Sequence, residues 1–356
     1  MKKNYTLMIM LLFVLLIFTS CSKDNEVLGP NDNEEIKNNE EVEESPNNEE
    51  ESEDDPNKIF STLDGLKYYP DELKKRPVAV SIDNHPSARW QAGLSQAEII
   101  YEFEVEHPYT RYLCVFLAKE PNRIGPVRSA RPYIIYYALE NDGIFVHVGG
   151  SEDAFSEISR LKVADIDGLY SGSMWRYNET GKYAPHNMYT TLKEIRDEAQ
   201  KKGYRTEGTF EGYEFHEKST NLSDTYETIN AEKINIAYNK DNSTDYIYDK
   251  EKEVYLRFKD GKKHIDELNN EQLTAKNIIV IETSKKVLDN AGRLYLGTIG
   301  EGHGVYITNG ESTSITWTKS SESAQTKFHI NNEELKLNPG NTWIQILNTL
   351  DCIKYE

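Results

Sequence analysis

The stretch Asn122–Gly143, NRIGPVRSARPYIIYYALENDG, decides how the first half of the chain is read. Pro132 suits a first helical position, where a missing N–H removes no intrahelical bond, so a helix is expected over Tyr133 to Asn141 with Gly143 as its stop. That helix places Arg128 and Arg131 just ahead of its first turn. Helix N-termini carry partial positive charge, so cations there cost from a few tenths of a kcal/mol to about 1 kcal/mol. An anion must offset that cost. With Gly125 and Pro126 shaping the approach, the arginines and the unpaired N–H groups of the first turn would form one donor cluster. The anion is either a phosphate or carboxylate ligand or an internal carboxylate such as Asp83, Glu102 or Glu106, because a buried ion-pair network demands the same arginines.

On either side of this stretch lie strand-like runs: Arg76–Asp83, Glu98–Glu106, Tyr109–Leu117 and Gly143–Gly150. In the second, Tyr101, Phe103 and Val105 alternate with Glu102, Glu104 and Glu106, giving one apolar and one acidic face. The HPYT turn folds the third run back on it as a hairpin. Ser151 caps a helix with Glu152 and Asp153 in its first turn, and Thr191 with Glu194 caps another that Gly203 closes. After about Thr220 the chain changes to short strands with turns at Asp260-Gly261, Asn309-Gly310, Asn331-Asn332 and Pro339-Gly340. Tyr306, Ile315, Trp317 and Trp343 are expected inside that module. The fold class is α+β: a layered mixed α/β domain over 63–219, then a mainly antiparallel β domain over 220–350.

The N-terminus begins with Lys2 and Lys3, then an apolar run from Leu7 to Phe18 and the small residues before Cys21. This pattern is a signal peptide over 1–20, too short for a membrane span. IFTSC resembles a bacterial lipobox, although Phe18 stands where leucine is usual; Cys21 is then the lipidated residue and the anchor is lipid, on the extracytoplasmic face. Residues 22–58 carry fifteen acidic residues against three lysines, a net of −12, with almost no large apolar groups. Such a segment cannot offset chain entropy by burial and is read, with Cys21, as an acidic disordered stalk over 21–58. Of the chain's −19, that stalk takes −12 and the leader +2, which leaves −9 for the residues from 59 onward. Nucleic acid is excluded as a partner for a tethered protein of that charge. Cys114 and Cys352 show no CxxC spacing, so they are read as idle thiols, with one disulfide left open.

Other polar groups stand at element ends. SIDNHP puts Asp83, Asn84 and His85 after a strand, FVHVGGSED puts His147 before the Gly149-Gly150 turn, and KYAPHNMYTT puts His186 and Asn187 before a helix. The eight histidines form no HxH or HExxH and no acidic cluster has calcium-loop spacing, so neither metal nor cofactor is expected. GxSxG, Walker A and dinucleotide fingerprints are missing too. The glycine-rich Gly297–Ile307 has no following helix and reads as a β loop.

RPVAVSIDNHPSARWQAGLSQAEIIYEFEVEHPYTRYL, IGPVRSARPY, HVGGS and HNMYT together closely resemble the YerB-like family of bacterial lipoproteins. The resemblance runs from about Leu63 to Leu347. It implies a two-domain α+β architecture on the surface of a Gram-positive bacterium, and lends no catalytic residues. It marks Asp83, Asn84, His85, Arg111, Gly125, Arg128, Ser129, Arg131, Pro132, His147 and His186 as members of recurring motifs. The VEHPYT turn departs from the glycine-rich turn of relatives, so His107 is not read as functional.

Two functions follow. The first is a binding module whose partner is a cell-envelope component or envelope protein, using Arg128, Ser129, Arg131, Asn84, Arg111, Gly149 and Gly150. The second is a hydrolase or transferase acting on envelope glycan or peptide, with Asp83 or Glu106 paired to His147 or His186 as acid and base. A carboxylate–histidine bond opening to solvent favours the second; arginines consumed by internal acids weaken both.

Overall fold

The computed structural model describes residues 55–356. The leader, Cys21 and nearly all of the acidic segment lie outside them. Strands dominate the described residues and helices are few.

The first-half strands are β1 (Val78–Asp83), β2 (Ile99–Glu104) and β3 (Thr110–Phe116), followed by helix α1 (Pro132–Glu140), β4 (Ile144–His147), helix α2 (Glu152–Leu161) and β5 (Asp165–Asp167). A short hairpin of β6 (Trp175–Arg176) and β7 (Met188–Tyr189) precedes helix α3 (Leu192–Lys201). β2 and β3 pair antiparallel across the expected hairpin, and β1 runs parallel to β4. The caps form as read: Ser151 accepts from Ala154 N–H and Thr191 from Glu194 N–H.

The second half adds β8 (Lys233–Asn239), β9 (Asn242–Asp249) and β10 (Val254–Lys259), then β11 (Asn277–Glu282), β12 (Gly300–Thr308), β13 (Glu311–Lys319), β14 (Lys327–Ile330) and β15 (Thr342–Leu347). The glycine-rich segment read as a loop is therefore mostly strand β12. Gly302 lies across from Trp317, whose indole occupies the space of a Cβ, and Gly304 lies against the Val280 carbonyl. Tyr306, Ile315, Trp317 and Trp343 are all buried, as expected.

One twelve-stranded sheet runs through both halves. Its order is β14-β13-β12-β11-β15-β2-β3-β1-β4-β5, with two-residue strands added at Glu333–Glu334 and Ile229–Asn230. β15, from the far end of the chain, lies parallel between β11 and β2. Period-two alternation splits β1 between two cores: Ala79 faces α1 and α2, whereas Val78, Val80 and Ile82 face α3 and the smaller sheet of β8, β9 and β10.

The acidic face of β2 is buried. Glu102 is fully enclosed against Arg257, and Glu104 meets Lys285. Six enclosed side chains close a hydrogen-bonded ring. Asn84 donates to Thr110, Thr110 to Glu102, Arg257 to Glu102 and to His264, His264 Nε2 to Gln91, and Gln91 back to Asn84. Every member finds a partner, the condition under which a buried polar network rigidifies a fold.

Candidate functional site

β1, β2, β4 and β5 end on the same edge of the large sheet, because they run in one direction. Loops beyond the carboxyl ends of such strands are where open sheets place ligands. Asp83 closes β1 there. Segment 122–131 crosses this edge, tied by Asp83 N–H to the Pro126 carbonyl and Arg128 N–H to the Ser81 carbonyl. Val127 N–H also donates to Met188, so segment 127 lies between β1 and the β6–β7 hairpin. Gly125 permits this approach: its φ is +152°, and a Cβ would stand 2.8 Å from the Met188 carbonyl oxygen.

Asp83 is the centre. Its Oδ2 lies 2.8 Å from His186 Nδ1 and 3.3 Å from Arg128 Nε, and its Oδ1 accepts from His85 N–H at 2.9 Å. Burial pushes this carboxyl up, but the His186 hydrogen bond, Arg111, the His85 N–H and Arg128 outweigh it and hold it below the usual carboxylate range. His85 stacks on His186 with ring centroids 4.3 Å apart, and the Tyr109 ring meets His85 at a tilt with centroids 4.5 Å apart. Burial, then the neighbouring His186, lowers the His85 pKa. Its Nδ1 accepts from Ser87 N–H, which puts the ring proton on Nε2.

Arg131 is the N-cap residue of α1 and makes a two-point contact with Glu106, its third donor going to the Ala130 carbonyl. Burial raises the Glu106 carboxyl, yet Arg131 and Arg111 outweigh it and keep it low. Arg111 is buried and donates to the Ser129 carbonyl at 2.7 Å; its Nε has no partner. Burial and then Arg131 lower the guanidinium to about 10. Three guanidinium groups thus share two carboxylates, Asp83 and Glu106. Arg128 is the accessible one, with its side chain 30% exposed.

Several expected site residues stand elsewhere. His147 is sealed inside, its Nδ1–H on the Gly149 carbonyl and its Nε2 facing Asp165 at 3.2 Å, so it joins neither Asp83 nor Glu106. The Gly149 N–H is taken by Asp167, an internal carboxylate, because β5 ends beside the Gly149-Gly150 turn. Asn84 turns inward to the buried ring. Ser129 contributes its carbonyl to Arg111 and to the Ser81 hydroxyl. Glu106 meets an arginine rather than a histidine.

Arg176 was not singled out from sequence. It lies on β6 beside Met188, and its guanidinium rests on neutral acceptors, the Pro185 carbonyl and the Asn187 side chain. The signal was the pairing of WRYN with HNMY across a Gly- and Pro-containing loop. Among the described residues no group of three or more His, Cys, Asp or Glu is placed to hold a metal ion, and no helix is long and apolar enough to cross a membrane. Cys114 and Cys352 are both free thiols.

Both halves of the chain have counterparts. Residues 63–205 match the family model described as the N-terminal domain of a protein of unknown function, DUF3048, and residues 234–344 match its C-terminal domain. "Putative lipoprotein YerB" of Bacillus subtilis (strain 168) is 32% identical over 307 residues, covering 84% of this chain and 89% of that protein. The crystal structure of the YerB protein from Bacillus subtilis superposes with a TM-score of 0.75 at 30% identity, covering 84% of this chain and 99% of that one. The chain therefore belongs to the DUF3048 family and carries both of its domains in one continuous sheet.

Proposed function

We propose that this protein is an extracytoplasmic, membrane-anchored lipoprotein that binds an anionic envelope component at Arg128. The lipid is carried on Cys21, and the acidic segment holds the folded part away from the bilayer. The lipobox-like leader and the name given to the Bacillus relative support the anchoring. One observation carries the site: three guanidinium groups against two carboxylates, with Arg111 Nε unpartnered and Arg128 partly open to solvent. An arriving phosphate or carboxylate would balance the charge and gain charge-assisted hydrogen bonds. Titrating the full-length protein in detergent with inorganic phosphate tests it. Arg128→Ala, with an unchanged thermal midpoint, is expected to weaken binding by about tenfold or more, since a charged hydrogen bond contributes about 1.5–3 kcal/mol. Unchanged binding would refute the site.

A second reading rests on His186. Asp83 fixes its Nδ1 as the donor, and its Nε2 has no hydrogen-bond partner among the described residues. That is the arrangement of a general base, with Arg128 beside it for developing negative charge. In this reading the protein hydrolyses envelope glycan or peptide linkages, and His186→Gln abolishes turnover while leaving phosphate binding in place.

A further inference from the structure

We infer that the anionic group taken at Arg128 is carried on a carbohydrate, so that the ligand of this site is an acidic glycan; this rests on the anion-site reading above. The chain from β5 to β7 holds four large apolar side chains in solvent: Leu169 is 56%, Tyr170 87%, Trp175 37% and Tyr183 77% exposed. Leu169 with Tyr170, and Tyr183, sit on two segments that adjoin the backbone around Arg128 and His186. Val148 N–H donates to the Arg128 carbonyl, and Leu169 Cδ1 lies 3.2 Å from where a Cβ on the adjacent Gly149 would stand. In the second segment the Tyr183 carbonyl accepts from His186 N–H at 2.8 Å, which puts Tyr183 one turn from the histidine on Asp83.

This exposure is not slackness. Asp167 Oδ1 pins the Gly149 and Leu169 N–H groups together, Asn187 reaches Asn178, and buried Lys182 ties the segment to Glu267, the Trp90 carbonyl and the Tyr189 hydroxyl. A pinned segment that holds aromatic rings in water forgoes their burial, and fixed, solvent-facing tyrosines are available to stack on a ligand. A tyrosine offers an apolar face with a polar tip, the shape that suits a sugar ring's C–H face and hydroxyls. Arg176, held by the buried Asn187 side chain, supplies a further guanidinium on this hairpin. The apolar groups are few and divided by polar ones. A protein partner would need a continuous patch of about 800 Å² on this side.

The test titrates full-length protein with three probes: inorganic phosphate, neutral chitohexaose, and peptide-free glycan strands bearing carboxylates. The carboxylate-bearing strands are expected to bind at least about tenfold more tightly than either other probe. Tyr170→Ala with Tyr183→Ala should weaken strand binding about three- to tenfold per ring, the size of one aromatic contact, and leave phosphate binding unchanged. The Tyr→Phe pair should retain strand binding. Phosphate binding with no preference for the acidic strands, or strand binding untouched by the alanine pair, overturns the glycan assignment and leaves the anion site standing. Failure of both phosphate and strands overturns the two together.

Discussion

His186 Nδ1 lies 2.8 Å from Asp83 Oδ2, on the same oxygen that Arg128 Nε approaches at 3.3 Å, so one carboxylate orients two half-buried functional groups. Because Asp83 is held below its unfolded value, its contribution to stability is present above about pH 4 and is lost as pH falls through the folded pKa. Asp83→Asn is expected to be less stable at pH 7 by about 1–3 kcal/mol, from the unmatched groups left behind. It should also show a shallower loss of stability than the wild type below about pH 4. Urea unfolding at a series of pH values measures both.

Arg257 and Glu102 are both fully enclosed, and 155 positions apart in sequence. Removing one partner leaves an uncompensated buried charge, so Arg257→Ala should cost about 3–5 kcal/mol in urea unfolding. Arg257→Met combined with Glu102→Gln removes both charges and should recover most of that loss. If the double variant is as unstable as the single one, the enclosed charge is not the cause.

Lys259 is buried on Asn242 and the Ser243 carbonyl, and burial lowers its pKa from 10.5 to about 8. Between those values the unfolded chain binds more protons than the native one, so this group makes stability rise with pH. The stability difference between the wild type and Lys259→Met should therefore move in the wild type's favour from about pH 8 to about pH 10.5. A difference that stays flat over that range would show that the native lysine titrates normally.

Gly304 tests strand β12. A Cβ there would stand 2.4 Å from the Val280 carbonyl oxygen on β11, backbone that cannot yield cheaply. Gly304→Ala is expected to destabilise by about 1–3 kcal/mol, whereas Gly261→Ala, with nothing near its Cβ, suffers only the strain of its positive φ. Thermal unfolding of the two variants separates these effects.

What could be read in the sequence was local. The β2–β3 hairpin, the Ser151 and Thr191 caps, the Pro132 helix start and the turns at Asn309 and Asn331 follow from neighbours a few residues apart. The anion beside the arginines was posed as a choice between ligand and internal acid. Internal acids meet both: Glu106 occupies Arg131 and Asp83 lies beside Arg128, whose side chain nevertheless stays 30% exposed. What escaped was set by distant partners. The glutamates of β2 form an acidic face in sequence, and only Arg257 and Lys285 make them interior residues. His147 looked like a catalyst at a strand end, but Asp165 on β5 and the Gly149 carbonyl enclose it. Gly297–Ile307 lacked apolar alternation because Trp317 and Val280 fill the space that side chains would need.

The seating of β15 sets the order in which the molecule can be made. A ribosome delivers β2 and β11 long before residues 342–347, yet these two strands have no common neighbour until that segment arrives. Pairings so far apart in sequence form slowly, since loop closure precedes any gain from contacts. The nascent chain must therefore wait, its central seam open, until residues 342–347 have been translated.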